Sequence, residues 1–355
     1  MIIEQNIGGE FEIYPNDFLM NSKDSAWPIF KNKKSVRCNS GRSALVIAIN
    51  DWKKSHKDFR SIWLPDFLCH SIYNTINNLG FDVFWYHNKP GDKQFVGNIT
   101  PKKDDLFLYI NYFGWPNTAV NDWLDLNKKR SWGVIEDCVQ SPYTKDLGLV
   151  GDYLITSLRK WWPSPDGAQV HYKNFIEKQH LYDSDEVFIS QRLIGKVNRG
   201  EKTNEKYYLD LFSKSEQRLD VNLPRKCSYL SERLLSCVNI SKACKKRQQN
   251  WKVLQEGLEL IPNVKMIYSS INNKIIPLVA PIIVSKDSRD ELRTFLLNHN
   301  IFCPIHWTGM DYWSNESLDM SQRILSLPLD QRYGNEQMNS IIKIIQSFYM
   351  DKKYE

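Results

Sequence analysis

The feature that most constrains this fold is an alternation of short apolar runs with helix-like segments, which starts near Cys38 and continues to about residue 175. The apolar runs are S-I-W-L-P, F-D-V-F-W-Y, D-L-F-L-Y-I-N-Y, W-G-V-I-E-D and Y-L-I-T-S. Apolar strands separated by helices are typical of a mostly parallel sheet covered by helices on both faces. Ligands bind such sheets at the carboxyl ends of the strands, so we expect Asn111, Asp137 and Ser157 at the functional edge.

The remainder of the chain has a different residue pattern, which predicts a second, smaller domain. Residues 176–260 are charged and helix-like, and they are followed by a strand-like run, K-I-I-P-L-V-A-P-I-I-V, and by two helical segments. R-I-L-S-L-P-L at 323–329 predicts one more buried strand. We therefore expect a large α/β domain over residues 1–240, with a helical segment at 176–240, and a small C-terminal α+β domain over residues 241–355.

The composition excludes several classes of protein. The 355 residues are 42% hydrophobic and 13% aromatic, which is enough for a large core. The net charge is +6, but acids lie between the lysines and arginines, which argues against nucleic-acid binding. The first residues do not show a basic segment followed by an apolar one, and no apolar stretch approaches about 18 residues, so we expect a cytoplasmic protein without membrane insertion. The seven scattered cysteines form no C-x-x-C pair, which predicts free thiols and no metal site.

A glycine turn before a helix, N-S-G-R-S-A-L at 39–45, is a candidate phosphate site. Free backbone N–H groups at a helix N-terminus attract an anion, and Gly41 permits a close approach. Ordinary capping of the helix by serine explains the same residues, so both interpretations stay open.

Two carboxylates end an apolar strand in I-E-D-C-V-Q-S at 135–141. A carboxylate at this position favours the protonated form of a nearby ring nitrogen. The alternative is that Glu136 or Asp137 caps the turn that follows the strand.

Lys160 ends the stretch S-L-R-K, which follows an apolar strand and precedes two tryptophans. An amine that is shielded from bulk water is more easily kept neutral, and it can then attack a carbonyl to form a Schiff base. The alternative is a solvated surface lysine, which is the commoner environment of this residue type.

Taken in order, these stretches resemble the DegT/StrS family of sugar-nucleotide aminotransferases, which are fold-type-I pyridoxal phosphate enzymes. S-G-R-S-A-L is similar to the family's S-G-T-x-A-L, and I-E-D-C-V-Q-S to its I-E-D-A-A-Q-A. G-D-Y-L-I-T-S-L-R-K followed by D-G-A is similar to its G-D-x-x-x-F-S-F-x-x-x-K followed by E-G-G. W-L-P-D-F-L-C-H-S-I-Y-N and I-L-S-L-P-L resemble two further family segments, so the likeness extends from about residue 35 to 348.

The resemblance implies a cofactor, pyridoxal 5'-phosphate, and a role for each matching residue. Lys160 would hold the cofactor covalently, Asp137 would pair with its ring nitrogen, and Gln140 would approach its 3-oxygen. The phosphate ligands would be Gly41, Arg42 and Ser157. Arg42 stands where the family usually has threonine, and the serine-to-lysine spacing is three residues instead of five.

Two further segments supply candidate contacts to the cofactor ring or the substrate. Where the family places an aromatic residue against the ring, this chain offers Phe67, Cys69 and His70, with Cys69 at the stacking position and His70 as a candidate substrate contact. C-P-I-H-W at 303–307 makes His306 and Trp307 candidate substrate contacts. A loop that packs on the core explains the second segment equally well.

The resemblance also implies a homodimer with shared active sites and an aminotransferase reaction. An amino acid, expected to be glutamate, would donate its amino group to a keto group, expected to be that of a nucleotide-linked sugar in surface polysaccharide biosynthesis. Three alternatives stay open: a different pyridoxal phosphate reaction, a small phosphorylated ketone as acceptor, and a non-catalytic protein that binds a sugar nucleotide or a partner. Retention of both Asp137 and Lys160 argues against the last, because a purely structural role needs neither residue.

Overall fold

The computed structural model describes residues 5–18, 24–95, 97, 99–174, 180–201, 205–219 and 223–351. The strands are β1 (Ile7–Gly8), β2 (Lys34–Cys38), β3 (Ser61–Pro65), β4 (Asp82–Tyr86), β5 (Leu106–Ile110), β6 (Gly133–Asp137), β7 (Tyr153–Ser157), β8 (Ala168–Tyr172), β9 (Lys265–Met266), β10 (Ala280–Ile283), β11 (Ile301–Phe302) and β12 (Ile324–Leu327). The α-helices are α1 (Gly41–Ser55), α2 (His70–Asn78), α3 (Thr118–Leu126), α4 (Glu186–Gly200), α5 (Glu205–Arg218), α6 (Tyr229–Leu235), α7 (Ile240–Leu258), α8 (Lys286–Asn298), α9 (Asn315–Arg323) and α10 (Asn335–Asp351).

A seven-stranded sheet with the order β2-β8-β7-β6-β5-β3-β4 forms the centre of the molecule. The strands from β7 to β4 are parallel, whereas β8 runs antiparallel to both β7 and β2. Every residue of β5, β6, β7 and β8 is buried, as expected for strands that are covered on both faces. The mostly parallel α/β sheet that the sequence predicts is confirmed, and the five apolar runs contain β3, β4, β5, β6 and β7.

The turn between β2 and α1 brings the start of a helix to the carboxyl end of β7. Ser40 caps α1 by accepting a hydrogen bond from the backbone N–H of Ser43 at 3.2 Å. The backbone N–H of Gly167, just before β8, donates to the carbonyl of Asn39 at 2.8 Å. The apolar side chains that follow in α1 are buried, and the helix packs against β7 and β8. The capping interpretation of this stretch is therefore correct, and it leaves the helix N-terminus facing the strand ends.

A second sheet lies in the C-terminal part of the chain. It has the order β12-β10-β9 and is antiparallel, with α8 packed against β12 and α10 packed against α7 and α8. R-I-L-S-L-P-L forms β12, a fully buried strand as predicted. The N-terminal strand β1 pairs in parallel with β11, so both ends of the chain contribute to this half. The predicted domain boundary at residue 240 coincides with the start of α7 but stays a prediction.

Helices α4 and α5 pack against each other and carry buried charges toward the N-terminal segment. On α4, Arg192 and Lys196 pair with Glu10, and Arg199 pairs with Glu12. Buried charges need such partners, because an isolated ion loses its hydration without compensation. Within the described residues, no helix combines the length and the apolar composition that crossing a bilayer requires.

Candidate active site

Two adjoining cavities open near the carboxyl ends of β6 and β7, one of about 190 Å³ and one of about 460 Å³. Arg159, Lys160 and Glu216 line both. The smaller cavity also contacts residues from the start of α1, from α2, and from the ends of β6 and β7. The larger cavity contacts the N-terminal segment and the C-terminal half of the molecule.

Lys160 lies at the point where the two cavities meet. It ends a 3₁₀ turn, Leu158–Lys160, directly after β7. The two tryptophans that follow fix this turn: the indole N–H of Trp161 donates to the carbonyl of Val139 at 3.1 Å, and that of Trp162 donates to the hydroxyl of Tyr143 at 2.5 Å. Of the two environments considered for Lys160, the structure shows the exposed one, because its side chain is accessible where the cavities join.

Asp137 and Gln140 lie in the smaller cavity and are buried. Asp137 ends β6, and its Oδ1 accepts a hydrogen bond from the backbone N–H of Val139 at 2.8 Å. Burial raises the pKa of Asp137 to about 6, although the Val139 N–H and the charge of Lys160 lower it. The Oε1 of Gln140 accepts from the backbone N–H of Phe113 at 2.8 Å, whereas its Nε2 is buried and has no hydrogen-bond partner among the described residues.

The residues predicted to bind the phosphate of the cofactor line the smaller cavity, at the start of α1 and the end of β7. They are Gly41, Arg42 and Ser157. A methyl group added at Gly41 would lie 3.6 Å from the Cβ of Ser157 and 3.4 Å from Val139, so it would fill the space between the helix and the strand end. Glycine at this position therefore keeps the helix N-terminus accessible.

Glu136 and Asn111 contribute to a different network. Because side chains alternate along a strand, Glu136 points to the opposite side of the sheet from Asp137. Its Oε1 accepts from the Nδ2 of Asn111 at 3.0 Å and from the backbone N–H of Gly148 at 3.1 Å. The Oδ1 of Asn111 accepts from the backbone N–H of Asn117 at 2.8 Å. Asn111 therefore lies at the predicted edge of the sheet, directly after β5, but it is buried in a structural network and lines neither cavity.

The three residues from the segment expected to cover the cofactor ring lie in different surroundings. Cys69 lines the smaller cavity, with its Sγ 3.1 Å from the Oγ of Ser71. Phe67 is fully buried in the core, where its ring lies 5.5 Å from that of Trp307. His70 begins α2, and its Nε2 is within 2.8 Å of the carbonyl oxygen of Thr308. Neither Phe67 nor His70 is among the residues that line the two cavities.

His306 and Trp307 line different cavities. His306 lines the larger cavity, and its Nδ1 lies 2.9 Å from the Oγ of Ser326. Burial, and secondly the charge of Lys160, lower the pKa of His306 to about 3, so its ring is neutral at physiological pH. Trp307 lines the smaller cavity and is the one aromatic residue there within the described part of the chain.

A cluster of ion pairs around Glu216 was not predicted from the sequence. Glu216, near the end of α5, pairs with Arg159 through both carboxylate oxygens, and it also contacts Arg42 at 3.5 Å and Arg192 at 3.4 Å. Although burial raises it, the charges of Arg159, Arg192 and Arg42 lower the pKa of Glu216 to about 2. Nothing in the spacing of these four residues indicates that they meet, because their sequence separation exceeds that of any local motif.

The sheet order and the position of the cavities define the class of fold. No protein-family model and no curated protein matches the sequence. Solved structures, in contrast, match over most of the chain, and the chain has the fold of the fold-type-I pyridoxal phosphate aminotransferases.

Three of these solved structures illustrate the likeness. PseC from Helicobacter pylori, an aminotransferase involved in the biosynthesis of pseudoaminic acid, has a TM-score of 0.68 and 13% identity, over 98% of this chain and 100% of PseC. A DegT/DnrJ/EryC1/StrS aminotransferase from Brucella abortus has a TM-score of 0.59 and 15% identity, over 88% of this chain and 85% of its own. NtdA from Bacillus subtilis, with bound cofactor PMP, has a TM-score of 0.59 and 13% identity, over 88% and 73% respectively. Because identity is low, these matches establish the fold, and they agree with the family resemblance of the motifs.

Proposed function

We propose that this protein is a pyridoxal phosphate-dependent aminotransferase of the DegT/StrS type. The observation that carries the proposal is the convergence of three separate sequence stretches on one cavity of this fold. These stretches supply Gly41, then Asp137 and Gln140, then Ser157 and Lys160. A binding protein without catalysis needs neither a buried carboxylate nor an accessible amine in this arrangement.

The residues of the smaller cavity fit the proposed cofactor. The unpartnered Nε2 of Gln140 is a buried donor, and a buried donor without an acceptor is costly unless a ligand supplies one. The 3-oxygen of pyridoxal phosphate is such an acceptor. Burial raises the pKa of Asp137 to about 6 in spite of the charge of Lys160, and a protonated ring nitrogen beside the carboxylate would stabilise its charged form. The open space at Gly41 suits the approach of a phosphate to the start of α1.

The chain's own residues perform distinct tasks in the proposed mechanism. When bound, pyridoxal phosphate supplies an aldehyde for the amine and an electron sink for the reacting carbon. Lys160 would hold the cofactor, and its free amine would move the proton at the substrate Cα as a general acid and base. Asp137 would keep the proton on the ring nitrogen, and Gln140 would orient the ring as a donor to its 3-oxygen.

The polar lining of the larger cavity favours a polar substrate as the acceptor of the amino group, next to Lys160. Its lining includes Glu10, Arg247, Arg293, His306 and Asp330, which offer donors and acceptors for hydroxyl and phosphate groups. We propose glutamate as the amino donor and a keto group on a nucleotide-linked sugar as the acceptor. The named function of PseC in pseudoaminic acid biosynthesis supports this substrate class.

An absorption titration tests the proposed function. Purified protein with added pyridoxal phosphate is expected to develop a visible absorption band, and excess glutamate is expected to shift that band to shorter wavelength. A band that glutamate leaves unchanged would point to another donor or another reaction. Absence of the band would favour the non-catalytic alternative.

Replacement of Trp307 tests which side chain covers the cofactor ring. Cys69 provides little surface for stacking, and Trp307 is the aromatic group available in the smaller cavity. We expect Trp307→Ala to weaken pyridoxal phosphate binding by about tenfold, since an aromatic pair contributes about 0.5–1.5 kcal/mol beyond buried area. Equilibrium titration at 25 °C measures this affinity. The matched control is Trp313→Phe, which alters a neighbouring buried indole outside the smaller cavity; equal loss in both variants would contradict the stacking role.

The homodimer and the cytoplasmic location stay predictions from the family resemblance. Molar mass in solution, from light scattering during gel filtration, measures the first directly.

A further inference from the structure

The ion-pair cluster between the two cavities has more positive than negative charge. Arg42, Arg159 and Arg192 surround Glu216, and Arg192 also pairs with Glu10 at 2.7 Å. Lys196 adds a fourth cation, with its Nζ 3.1 Å from the second oxygen of Glu10. In these contacts four cations thus face two carboxylates. A phosphoryl dianion has the complementary charge.

Arg192 is a buried cation next to Glu216. Its side chain is 1% exposed, and its Nε has no hydrogen-bond partner among the described residues. Arg192 lines neither cavity and lies over the ring of Phe212, so it acts on the site through its charge and its contact with Glu216.

Glu216 occupies a position on Arg159 that a phosphoryl group could take in its place. Its carboxylate binds Arg159 through both oxygens, which is the contact that a phosphate group would otherwise make. Its side chain is 37% exposed, and it borders both cavities together with Arg159. An anion that enters either cavity can therefore reach the guanidinium group of Arg159 if Glu216 moves aside.

We propose that Arg42 and Arg159, supported by the charge of the buried Arg192, form a phosphoryl-binding site that Glu216 occupies as an internal competitor. The site deepens the proposed function and rests on it, because the phosphoryl group would come from the cofactor or from the diphosphate of a nucleotide-linked substrate. Arg159 is the central ligand, because it contacts Glu216 most closely and faces both cavities. A dianion with three acceptor oxygens displaces the single charge of the carboxylate.

Binding measured by calorimetry tests the site without any need for turnover. The probes are pyridoxal phosphate, pyridoxal without its phosphate, inorganic pyrophosphate and uridine diphosphate, with the last two titrated both with and without pyridoxal phosphate. The variants are Glu216→Gln and Arg159→Met. The control is Arg218→Gln, two residues along the chain from Glu216, which removes an arginine that pairs with Asp185 and lines neither cavity. Thermal unfolding checks that each variant is folded.

The proposal makes opposite predictions for the two variants. Glu216→Gln is expected to bind the phosphoryl probes about tenfold more tightly, because the competitor is removed, and Arg159→Met about tenfold more weakly. Changes for pyridoxal phosphate but not for pyridoxal identify the cofactor as the source of the phosphoryl group. Changes for uridine diphosphate in the presence of pyridoxal phosphate identify the substrate.

Two other outcomes distinguish a failure of the phosphoryl-site proposal from a failure of the proposed function. If wild-type protein binds no pyridoxal phosphate but pyrophosphate follows the expected order of affinities, the aminotransferase assignment fails and the phosphoryl site stands. If Glu216→Gln binds every phosphoryl probe as weakly as the wild type or more weakly, Glu216 is a structural anchor for the arginines and the proposal is overturned.

Discussion

The Lys160→Ala variant is expected to keep its fold and to lose aminotransferase turnover. Lys160 is exposed at the junction of the cavities, so its removal deletes no core packing. The variant loses the covalent hold on the cofactor and the general acid–base group together. Proton transfer by a positioned side chain alone contributes about 10²–10⁴-fold, so the loss should be at least this large. Single-turnover kinetics with glutamate and the visible absorption band measure the two roles separately.

Lys173→Ala is the matched control for this experiment. Lys173 is also an exposed lysine that follows a strand of the central sheet, but it contacts the carbonyl of Leu149, away from both cavities. We expect its turnover to equal that of the wild type. Full turnover in Lys160→Ala, with Lys173→Ala unchanged, would show that Lys160 is not the reactive amine.

The Asp137→Asn variant is expected to show the second largest loss of turnover. An amide cannot supply the negative charge that keeps a ring nitrogen protonated in a buried site. Loss of one partner from a buried ion pair costs about 3–5 kcal/mol, which corresponds to a rate decrease on the order of 10²–10⁴-fold if the pair is needed in the transition state. Glu136→Gln is the control, because that buried carboxylate points to the other side of β6. Equal losses in both variants would contradict a direct role for Asp137.

The same Asp137→Asn change is expected to stabilise the cofactor-free protein. Burial raises the pKa of Asp137 from its ordinary value of 3.8 to about 6, so the folded state binds this proton more tightly than the unfolded state. The charged carboxylate therefore destabilises the fold increasingly as pH rises from about 4 to 6, and by a constant amount above that. A shift of this size corresponds to about 2–3 kcal/mol.

Urea unfolding at several pH values measures this stability difference. The free energy of unfolding of Asp137→Asn should equal that of the wild type near pH 4 and exceed it near pH 7. The asparagine can still accept the Val139 N–H bond through its Oδ1. A difference independent of pH would mean that ionisation of Asp137 is not its cause.

The chain's local patterns were sufficient to predict the sheet and most of the smaller cavity. Strands β5, β6 and β7 are continuous apolar runs, which is the pattern of a parallel strand buried on both faces. Since parallel strands end at one edge, the polar residues that follow β6 and β7 necessarily lie close to each other. Because successive side chains of a strand point to opposite faces of the sheet, Asp137 faces the cavity and Glu136 does not.

The local patterns gave less information about residues outside the sheet. The segment from Phe67 to His70 contains three candidates for the ring face, and the turn into α2 places Cys69 in the cavity while Phe67 enters the core. The aromatic group in that cavity is Trp307, more than two hundred residues later in the chain. The C-P-I-H-W segment made Trp307 a candidate substrate contact, but no local pattern shows that its ring, and not that of Phe67, lines the smaller cavity.

The sequence by itself determined the central sheet and the helix start at Gly41, because each depends on hydrophobic period or capping within a short window. The family resemblance of its motifs supplied the order of the candidate catalytic residues. Only the tertiary structure decided that Lys160 is exposed between two cavities and that Glu216 meets Arg42, Arg159 and Arg192 there. An amphipathic helix shows which of its faces is polar, but not which charges that face meets. Those contacts depend on how α4 and α5 pack against the rest of the chain, and this packing is a property of the whole fold.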